Sequence, residues 1–90
     1  MNPELYILEL ANSQYYIGST SDFNRRLFEH QSGKVISTKS KRPVKIVFRK
    51  SFPSLKTARQ VEYKIKSYKN KNIIKQIIKD QEIHFNFNSL

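Results

Sequence analysis

The 90-residue chain has no cysteine, no tryptophan, only two glycines and only seven acidic residues. Without cysteine it can form neither disulfides nor zinc sites built on thiolates. Two glycines, Gly18 and Gly33, are too few for a glycine-rich phosphate-binding loop. There is no apolar run of about 18 residues that could span a membrane, and the first residues lack the pattern of a signal peptide. We therefore expect a cytoplasmic protein without a membrane partner.

The chain is rich in positively charged residues. Seventeen lysines and arginines against seven acids give a formal net charge of +10. Residues 34–79 contain fifteen of these basic residues and a single acid, Glu62. A compact domain with so one-sided a surface attracts polyanions and steers them toward that surface. The charge therefore favours nucleic acid as the partner over a basic face that serves only solubility.

Apolar periodicity and turn-forming residues predict one small α+β domain. A three-stranded sheet, made of a β-hairpin and a third strand, is flanked by helices in the order β-β-α-β-α-α. The predicted strands cover residues 5–10, 14–18 and 44–52, and the predicted helices cover residues 23–31, 55–68 and 73–80. Ser21 or Asp22 can cap the first helix and Ser54 the second. Residues 34–42 are polar and basic, and we expect a loop there. We place the domain in residues 1–82 and a C-terminal tail in residues 83–90.

Glu62 lies at the edge of the apolar stripe on the second predicted helix, four residues after Ala58 and three before Ile65. One interpretation is an ordinary helix acid that pairs with Lys66 at i+4. The other is a carboxylate ligand for Mg²⁺ or Mn²⁺, since such ions are commonly held by one or two carboxylates together with water and phosphate oxygens. The spacing alone is compatible with both.

Arg26 and His30 are four residues apart on the first predicted helix and therefore share a face. The arginine fork suits a phosphate group. The histidine could bind the phosphate, orient a tyrosine or take part in proton transfer. The alternative is a surface arginine beside a half-buried histidine.

Tyr6 and Tyr16 lie on the two strands of the predicted hairpin. Side chains alternate along a strand. The two tyrosines therefore share a face of the sheet only if the residue numbers of the two partners in each cross-strand pair add up to an even number. A two-residue turn at Asn12-Ser13 would place them on opposite faces. We therefore predict a connection that is odd in length or bulged, while Tyr15 is expected to pack in the core or against a neighbouring strand.

Taken together, these spaced residues resemble the GIY-YIG nuclease superfamily. They are Tyr6-Ile7, then Tyr16-Ile17-Gly18, Arg26, His30 and Glu62. The resemblance spans roughly residues 5–80 and is closest to small single-domain bacterial members related to the excinuclease nuclease domain. The chain departs from the pattern in Glu4-Leu5-Tyr6, where the leading glycine is missing. The asparagine that follows the glutamate in many members stays unassigned, with Asn70 and Asn72 as candidates by position.

The resemblance implies a metal-dependent endonuclease that hydrolyses phosphodiester bonds, with DNA as the expected substrate and low sequence specificity. Tyr6 or Tyr16 would activate the attacking water, Arg26 would bind the scissile phosphate with help from His30, and Glu62 would hold one Mg²⁺ or Mn²⁺ ion. The implied nucleic-acid-binding residues are Gly18, Ser19, Lys34, Thr38, Lys39 and Arg42.

Tyrosine is a poor base at neutral pH, because its ordinary pKa is about 10. We expect a nearby metal, Arg26 and the basic surroundings to favour the phenolate, or the tyrosine to relay a proton to His30 or to metal-bound hydroxide. Two other functions stay open at this point. One is a non-catalytic nucleic-acid-binding module of the same fold, and the other is a structural protein bound to an anionic partner such as RNA.

Overall fold

The computed structural model describes residues 2–84 of the chain. Three strands form one antiparallel sheet in the order β2-β1-β3. The elements are β1 (Glu4–Glu9), β2 (Tyr15–Thr20), α1 (Phe23–Gln31), α2 (Ile36–Lys39), β3 (Lys45–Ser51), α3 (Leu55–Ser67) and α4 (Lys71–Asp80). The predicted α+β class and three-stranded sheet are confirmed. None of the helices in residues 2–84 is long and apolar enough to cross a membrane.

One helix departs from the predicted order. The segment predicted as a loop, residues 34–42, contains the single helical turn α2. Val35 and Thr38 are both buried beneath this turn, and their spacing of three residues places them on the same side of it. A single turn offers too few positions for an apolar period to be recognised, which is why the sequence pattern predicted a loop. The observed order is β-β-α-α-β-α-α.

The body of the domain continues slightly beyond its predicted end. Ile83 is buried in the core, and His84 Nε2 lies 3.0 Å from Asp80 Oδ2 at the end of α4. The predicted boundary after residue 82 therefore falls at least one residue early. The rest of the predicted tail, residues 85–90, lies outside the described residues.

The two faces of the sheet carry different cores, because side chains alternate along each strand. One face packs against α3 and α4 in a core made of Leu5, Ile7, Ile17, Phe48, Phe52, Ala58, Val61, Ile65, Ile77 and Ile83. The other face packs against α1 in a smaller core made of Tyr6, Leu8, Leu10 and Phe23. Since both faces are covered, four consecutive residues of β1, residues 5–8, are buried.

The hairpin between β1 and β2 has the predicted parity. Glu9 pairs with Tyr15, so the strands are joined by the five residues 10–14. Ser13 adopts a left-handed backbone conformation with φ of 67°, and its N–H donates to the Leu10 carbonyl at 2.9 Å. Because the connection is odd in length, Tyr6 pairs with Gly18 and shares a face with Tyr16. The prediction of an odd-length connection is confirmed.

Strand β2 is an outer strand of the sheet, with α1 on one face and α3 on the other. Asp22 lies only two residues after the end of β2 and is the N-cap of α1. Its Oδ1 accepts a hydrogen bond from the Arg25 N–H at 3.2 Å. Ser54 caps α3 in the same way through the Thr57 N–H at 3.1 Å. Caps were predicted at both places and are confirmed. The short connection after β2 brings the polar residues of α1 next to the outer edge of this strand.

A core substitution on α3 tests the packing of the larger core. Ile65 is 2% exposed, and Ile65→Ala should lower the free energy of unfolding by about 2–4 kcal/mol, because a large apolar side chain leaves a cavity. Tyr63 lies on the same helix and is 76% exposed, so Tyr63→Ala is the matched control with an expected change of about 0.5 kcal/mol or less. Urea denaturation measures both. Equal losses in the two variants would contradict this description of α3.

Candidate active site

Four aromatic rings from β1, β2 and α1 form a compact cluster beneath the outer edge of β2. The Tyr6 ring lies 6.3 Å from Tyr16, 5.6 Å from Phe23 and 5.7 Å from His30, measured between centroids. Tyr16 and His30 are closer still, at 4.8 Å. Three of these contacts are edge-to-face, an arrangement that the ring quadrupoles favour. The cluster holds Tyr6, which is 1% exposed, in one position.

Gly18 lies directly under the Tyr6 ring. A Cβ atom at this position would stand 2.5 Å from the Tyr6 hydroxyl oxygen and 2.6 Å from its Cζ. The resemblance placed Gly18 on the path of the nucleic acid. The structure provides a different reason for a glycine here, because only hydrogen at the α-carbon leaves room for the buried tyrosine.

His30 links Tyr6 to α2 through its two ring nitrogens. Nε2 is 2.9 Å from the Tyr6 hydroxyl and Nδ1 is 2.9 Å from Thr38 Oγ1. The Thr38 hydroxyl donates to the Val35 carbonyl at 3.4 Å, so its oxygen is left to accept from Nδ1. This network assigns the proton of the neutral imidazole to Nδ1. Nε2 is then an acceptor, and the Tyr6 hydroxyl donates to it.

Burial shifts the proton affinities of both partners in this hydrogen bond. His30 is fully buried, and burial, with the charge of Arg26, lowers the pKa of His30 to about 4. The histidine is therefore neutral at pH 7. Burial also raises the pKa of Tyr6 to about 12, although Arg26 acts in the opposite direction. The expectation that the surroundings favour a Tyr6 phenolate is wrong for the protein alone, since desolvation outweighs the nearby positive charge.

Arg26 stands between the tyrosines and the solvent. Its guanidinium faces the hydroxyls of Tyr6 and Tyr16, and its Nη1 donates to Glu29 Oε1 at 3.2 Å. Partial burial lowers the pKa of Arg26, but the contacts with the two tyrosines and Glu29 together raise it above its ordinary value. The side chain is 34% exposed. A fixed positive charge is thus present at the mouth of the aromatic cluster.

Glu62 approaches the same region from the opposite face of the sheet. Its helix, α3, packs on the face away from the tyrosines, and Glu62 reaches the outer edge of β2. There Ser19 Oγ donates to Glu62 Oε1 at 2.5 Å, and Lys66 Nζ donates to Oε2 at 2.6 Å. The predicted ion pair with Lys66 is present. Glu62 also lies close enough to Tyr6 for its charge to disfavour the phenolate.

Glu62 is suited to a hydrated divalent ion rather than to a cage of protein ligands. Within residues 2–84 no three histidine or acidic side chains group into a metal site. One carboxylate, 20% exposed, matches the way Mg²⁺ keeps most of its water and shares a phosphate oxygen. Lys66, which pairs with Oε2, is 51% exposed, and an ion bound at Glu62 would have to displace its ammonium. Glu62 is therefore the residue of this centre that could hold a single Mg²⁺ or Mn²⁺ ion.

The other predicted nucleic-acid-binding residues lie apart from this centre, at the corner between α1 and α2. Thr38 is fully buried behind His30, so it cannot line a nucleic-acid path and that prediction is corrected. Lys34 and Lys39 are exposed, and Lys34 lies over the Phe28 ring at 5.5 Å. Arg42 is also exposed, but it donates to the carbonyls of Lys39 at 2.9 Å and Gln31 at 3.3 Å.

Two pockets that flank the centre contain residues that sequence reasoning missed. On one side of Gly18, a pocket of about 260 Å³ is lined by Ser19, Thr20, Ser21, Arg25, Arg26, Glu29, Leu55 and Arg59. On the other side, a groove of about 530 Å³ runs along the first half of β2 and the end of α3. Arg59 lies three residues before Glu62 on the same helix. Helical spacing from Glu62 was therefore the signal that could have found it.

Gly18→Ala tests the close contact with Tyr6. The added methyl group would collide with a ring that has no free space, so we expect a loss of about 1–3 kcal/mol in the free energy of unfolding. Gly33→Ala is the control, because a Cβ there meets the exposed Arg42 side chain, and the loss should come mainly from its φ of 82°. Urea denaturation and the near-UV tyrosine spectrum measure the two variants. An unaltered tyrosine spectrum in Gly18→Ala would contradict the contact.

The lowered pKa of His30 predicts a specific dependence of stability on pH. Between pH 6.5 and about 4 the unfolded chain binds a proton on this histidine and the folded protein does not. The stability that depends on neutral His30 is therefore complete above pH 6.5 and is lost as the pH falls toward 4, by roughly 3 kcal/mol. His30→Gln lacks this titration. The difference in unfolding free energy between the natural protein and His30→Gln should therefore shrink as the pH falls from 6.5 toward 4.

Urea denaturation at pH 7 and pH 4.5 measures this difference, and contributions from groups common to both proteins cancel. An NMR titration of the His30 ring protons provides a second reading that needs no variant. A ring that becomes protonated near pH 6.5 would contradict the buried hydrogen-bond network.

Comparison with known proteins identifies the family. Residues 2–76 match the family model described as the GIY-YIG catalytic domain. The chain is 35% identical over 71 residues to a UPF0213 protein of Bacillus pumilus, which covers 78% of this chain and 72% of that protein. It is 39% identical over 66 residues to a UPF0213 protein of Streptococcus pneumoniae, covering 72% and 67% of the two chains.

A solved structure agrees with these matches. The solution NMR structure of the UPF0213 protein BH0048 from Bacillus halodurans is 31% identical in sequence and superimposes with a TM-score of 0.56, over 99% of this chain and 94% of that one. The family match also covers Tyr6, Tyr16, Arg26, His30 and Glu62, the residues gathered at the outer edge of β2. The chain belongs to the GIY-YIG family.

Proposed function

We propose that this protein is a metal-dependent endonuclease that hydrolyses phosphodiester bonds in DNA with low sequence specificity. The observation that carries the proposal is the position of Arg26, whose guanidinium faces the hydroxyls of Tyr6 and Tyr16 beside an open pocket. A phosphate drawn to Arg26 would stand next to both phenol oxygens. Membership of the GIY-YIG family supports a nuclease activity on this centre.

Binding of the phosphate follows from the charges around it. Arg25 and Arg59 line the same pocket as Arg26, together with the hydroxyls of Ser19 and Ser21. Guanidinium forks and hydroxyls are donors that match phosphate oxygens. In the proposed complex Arg26 orients the scissile phosphate and stabilises the charge that builds up on it in the transition state.

The proton of the attacking water would leave through Tyr6 and His30. The Tyr6 hydroxyl donates to His30 Nε2, so its oxygen can accept a proton from water as its own proton passes to the imidazole. No free phenolate accumulates on this route, which agrees with the raised pKa of Tyr6. Thr38 holds the imidazole in place through Nδ1, and the Tyr16 ring packs against the same imidazole.

Substrate binding would change the charge next to His30. Burial is the main cause of the low pKa of His30, and the Arg26 charge adds to it. A bound phosphate would pair with Arg26 and offset the part of the shift that this charge causes.

Glu62 is the residue that would hold the metal. One Mg²⁺ or Mn²⁺ ion bound there, with water and phosphate oxygens, supplies positive charge that stabilises the phosphate and the leaving oxygen. Glu62 would exchange its contact with Lys66 for the ion, and Ser19 would keep the carboxylate oriented. Hydrogen bonds of this kind commonly orient metal-binding carboxylates.

A second candidate function is a non-catalytic nucleic-acid-binding module. One observation favours it: both carboxylate oxygens of Glu62 already have partners, in Ser19 and Lys66. In that case the protein would bind DNA or RNA in a salt-sensitive manner and leave it intact.

Substitution of Glu62 tests the proposed metal dependence. Plasmid DNA and labelled single- and double-stranded oligonucleotides are incubated with Mg²⁺, Mn²⁺ or EDTA. We expect cleavage by the natural protein with either metal and none with EDTA, and a loss of at least about a hundredfold in Glu62→Gln, since the charge of the ligand is gone. Glu82→Gln is the matched control, because it removes an exposed carboxylate whose ion pair, with Lys50 at 3.7 Å, lies away from the centre.

Two further variants test the centre itself. Arg26→Ala should lower the cleavage rate by about a hundredfold or more, because the transition state loses the positive charge that stabilises its phosphate oxygens. Tyr6→Phe should do the same, since the relay needs the hydroxyl oxygen. Salt-sensitive binding without cleavage in the natural protein would select the non-catalytic module, and full activity in Glu62→Gln would remove Glu62 from the metal site.

A further inference from the structure

The groove beside the centre has a lining of which the proposed cleavage uses only Tyr16 and Lys66. It encloses about 530 Å³ between the start of β2, the end of α3 and the start of α4. Its walls are formed by Gln14, Tyr15, Tyr16, Ile17, Ile65, Lys66, Lys69, Asn70, Lys71 and Ile74. This volume is in the range of pockets that bind small organic molecules. Tyr16 belongs both to the groove and to the aromatic cluster, so an occupant of the groove adjoins the centre.

Tyr15 presents an aromatic ring to this groove. It is half-buried, and part of it packs against the larger core. On the groove side the Lys71 ammonium stands over the ring, 5.6 Å from its centroid. Lys71 is exposed, so a solvent-accessible cation covers this face of the ring. An aromatic platform beside flexible lysines is the arrangement that binds a nucleobase by stacking and its phosphate by charge.

One lysine of the groove, Lys71, is not placed for the stability of its helix. Lys71 is the first residue of α4, where a positive charge opposes the helix dipole. Lys69 has a left-handed backbone conformation, with φ of 50°. Within residues 2–84 neither of these two lysines forms an ion pair with an acid. Their charges are therefore available to an anionic occupant.

We propose that this groove binds one unpaired nucleotide next to the scissile phosphate, with its base on Tyr15 and its phosphate between Lys69 and Lys71. The proposal rests on the proposed function for the position of the scissile phosphate. It deepens that function by naming the substrate class as single-stranded nucleic acid or a duplex with unpaired nucleotides. A base inside a duplex cannot reach the ring, because its faces are covered by its neighbours in the stack.

The linear order of the groove, the centre and the arginine pocket along β2 supports one strand running past the centre. Residues 14–17 line the groove, Gly18 lies under Tyr6, and residues 19–21 line the arginine pocket. Helix α3 and the residues after it run alongside, with Lys69 and Lys66 at the groove, Glu62 in the middle and Arg59 at the pocket. A single strand laid along the edge would meet the groove, then the centre, then the pocket.

A tryptophan at position 15 reports directly on stacking. The chain contains no tryptophan, so Tyr15→Trp carries the only indole, and its fluorescence can be excited alone. In EDTA, which prevents cleavage, a single-stranded oligothymidylate should bind and quench this emission. An oligonucleotide with abasic sites should bind with little quenching, and a blunt duplex should also quench little. Equal quenching by all three, or none by the single strand, would overturn the proposal.

Charge and ring substitutions provide a second test through affinity, again in EDTA. Fluorescence anisotropy should show about fivefold or more weaker binding of the single strand by Tyr15→Leu, which keeps an apolar side chain against the core. Lys71→Ala should weaken binding and reduce the slope of log affinity against log salt by about 0.7. Lys75→Ala is the matched control, since Lys75 is exposed one turn further along α4 and outside the groove.

The groove site and the proposed catalysis can fail separately. If the protein does not cleave with Mg²⁺ or Mn²⁺ but the indole of Tyr15→Trp is quenched selectively and Lys71→Ala binds more weakly than Lys75→Ala, the groove is a nucleotide site and the proposed catalysis is wrong. If the protein cleaves but Lys71→Ala and Lys75→Ala bind the single strand equally well, the groove is not such a site and the proposed catalysis stands.

Discussion

The hydrogen bond between Tyr6 and His30 is the contact on which the rest of the site depends. It joins the central strand to α1, it measures 2.9 Å, and both residues are almost completely withdrawn from solvent. A buried hydroxyl or imidazole without a partner costs a few kilocalories per mole. Each group therefore requires the other, and Thr38 satisfies the remaining ring nitrogen. The turn of helix that carries Thr38 is fixed in place by this requirement.

Burial in this cluster also accounts for the chemistry that is proposed. Desolvation keeps Tyr6 protonated and His30 neutral at pH 7, so the pair is an oriented donor and acceptor rather than a pair of charges. The charges of the site stand outside the cluster. Arg26 lies at its mouth, and Glu62 reaches the edge of β2 from the other face. A neutral buried relay beside exposed charges can bind a phosphate without burying an unpaired ion.

The outer position of β2 is what brings residues from both faces of the sheet together. A central strand has neighbours on both sides, and side chains on its opposite faces cannot meet. At an outer strand the two flanking helices approach each other around the edge, and here they bring Arg26 and Arg59 into one pocket. The groove and the pocket lie at successive positions along that edge. Basic side chains from both faces are thus concentrated where an extended polyanion has room to lie.

The sequence by itself determined much of this protein. Alternation and helical spacing predicted the strands, the capped helices α1 and α3 and the apolar stripe of α3, because those patterns follow from local geometry. The parity of the hairpin followed from the same alternation once Tyr6 and Tyr16 were required to share a face. The motif spacing identified the family, since its residues keep their order along the chain whatever the packing.

Only the tertiary structure decided how these residues act. Whether Tyr6 is a phenolate or a donor depends on how much water and charge reach it, and that is a property of the surrounding packing. The burial of Thr38 and the close contact that requires Gly18 involve residues distant in sequence. So does the approach of Glu62 around the edge of β2. Local sequence patterns indicate which face of a strand or helix a residue occupies. Proximity across the sheet and desolvation depend on the packing of the whole chain. The chemistry of the site depends on this proximity and this desolvation, so only the tertiary structure could decide it.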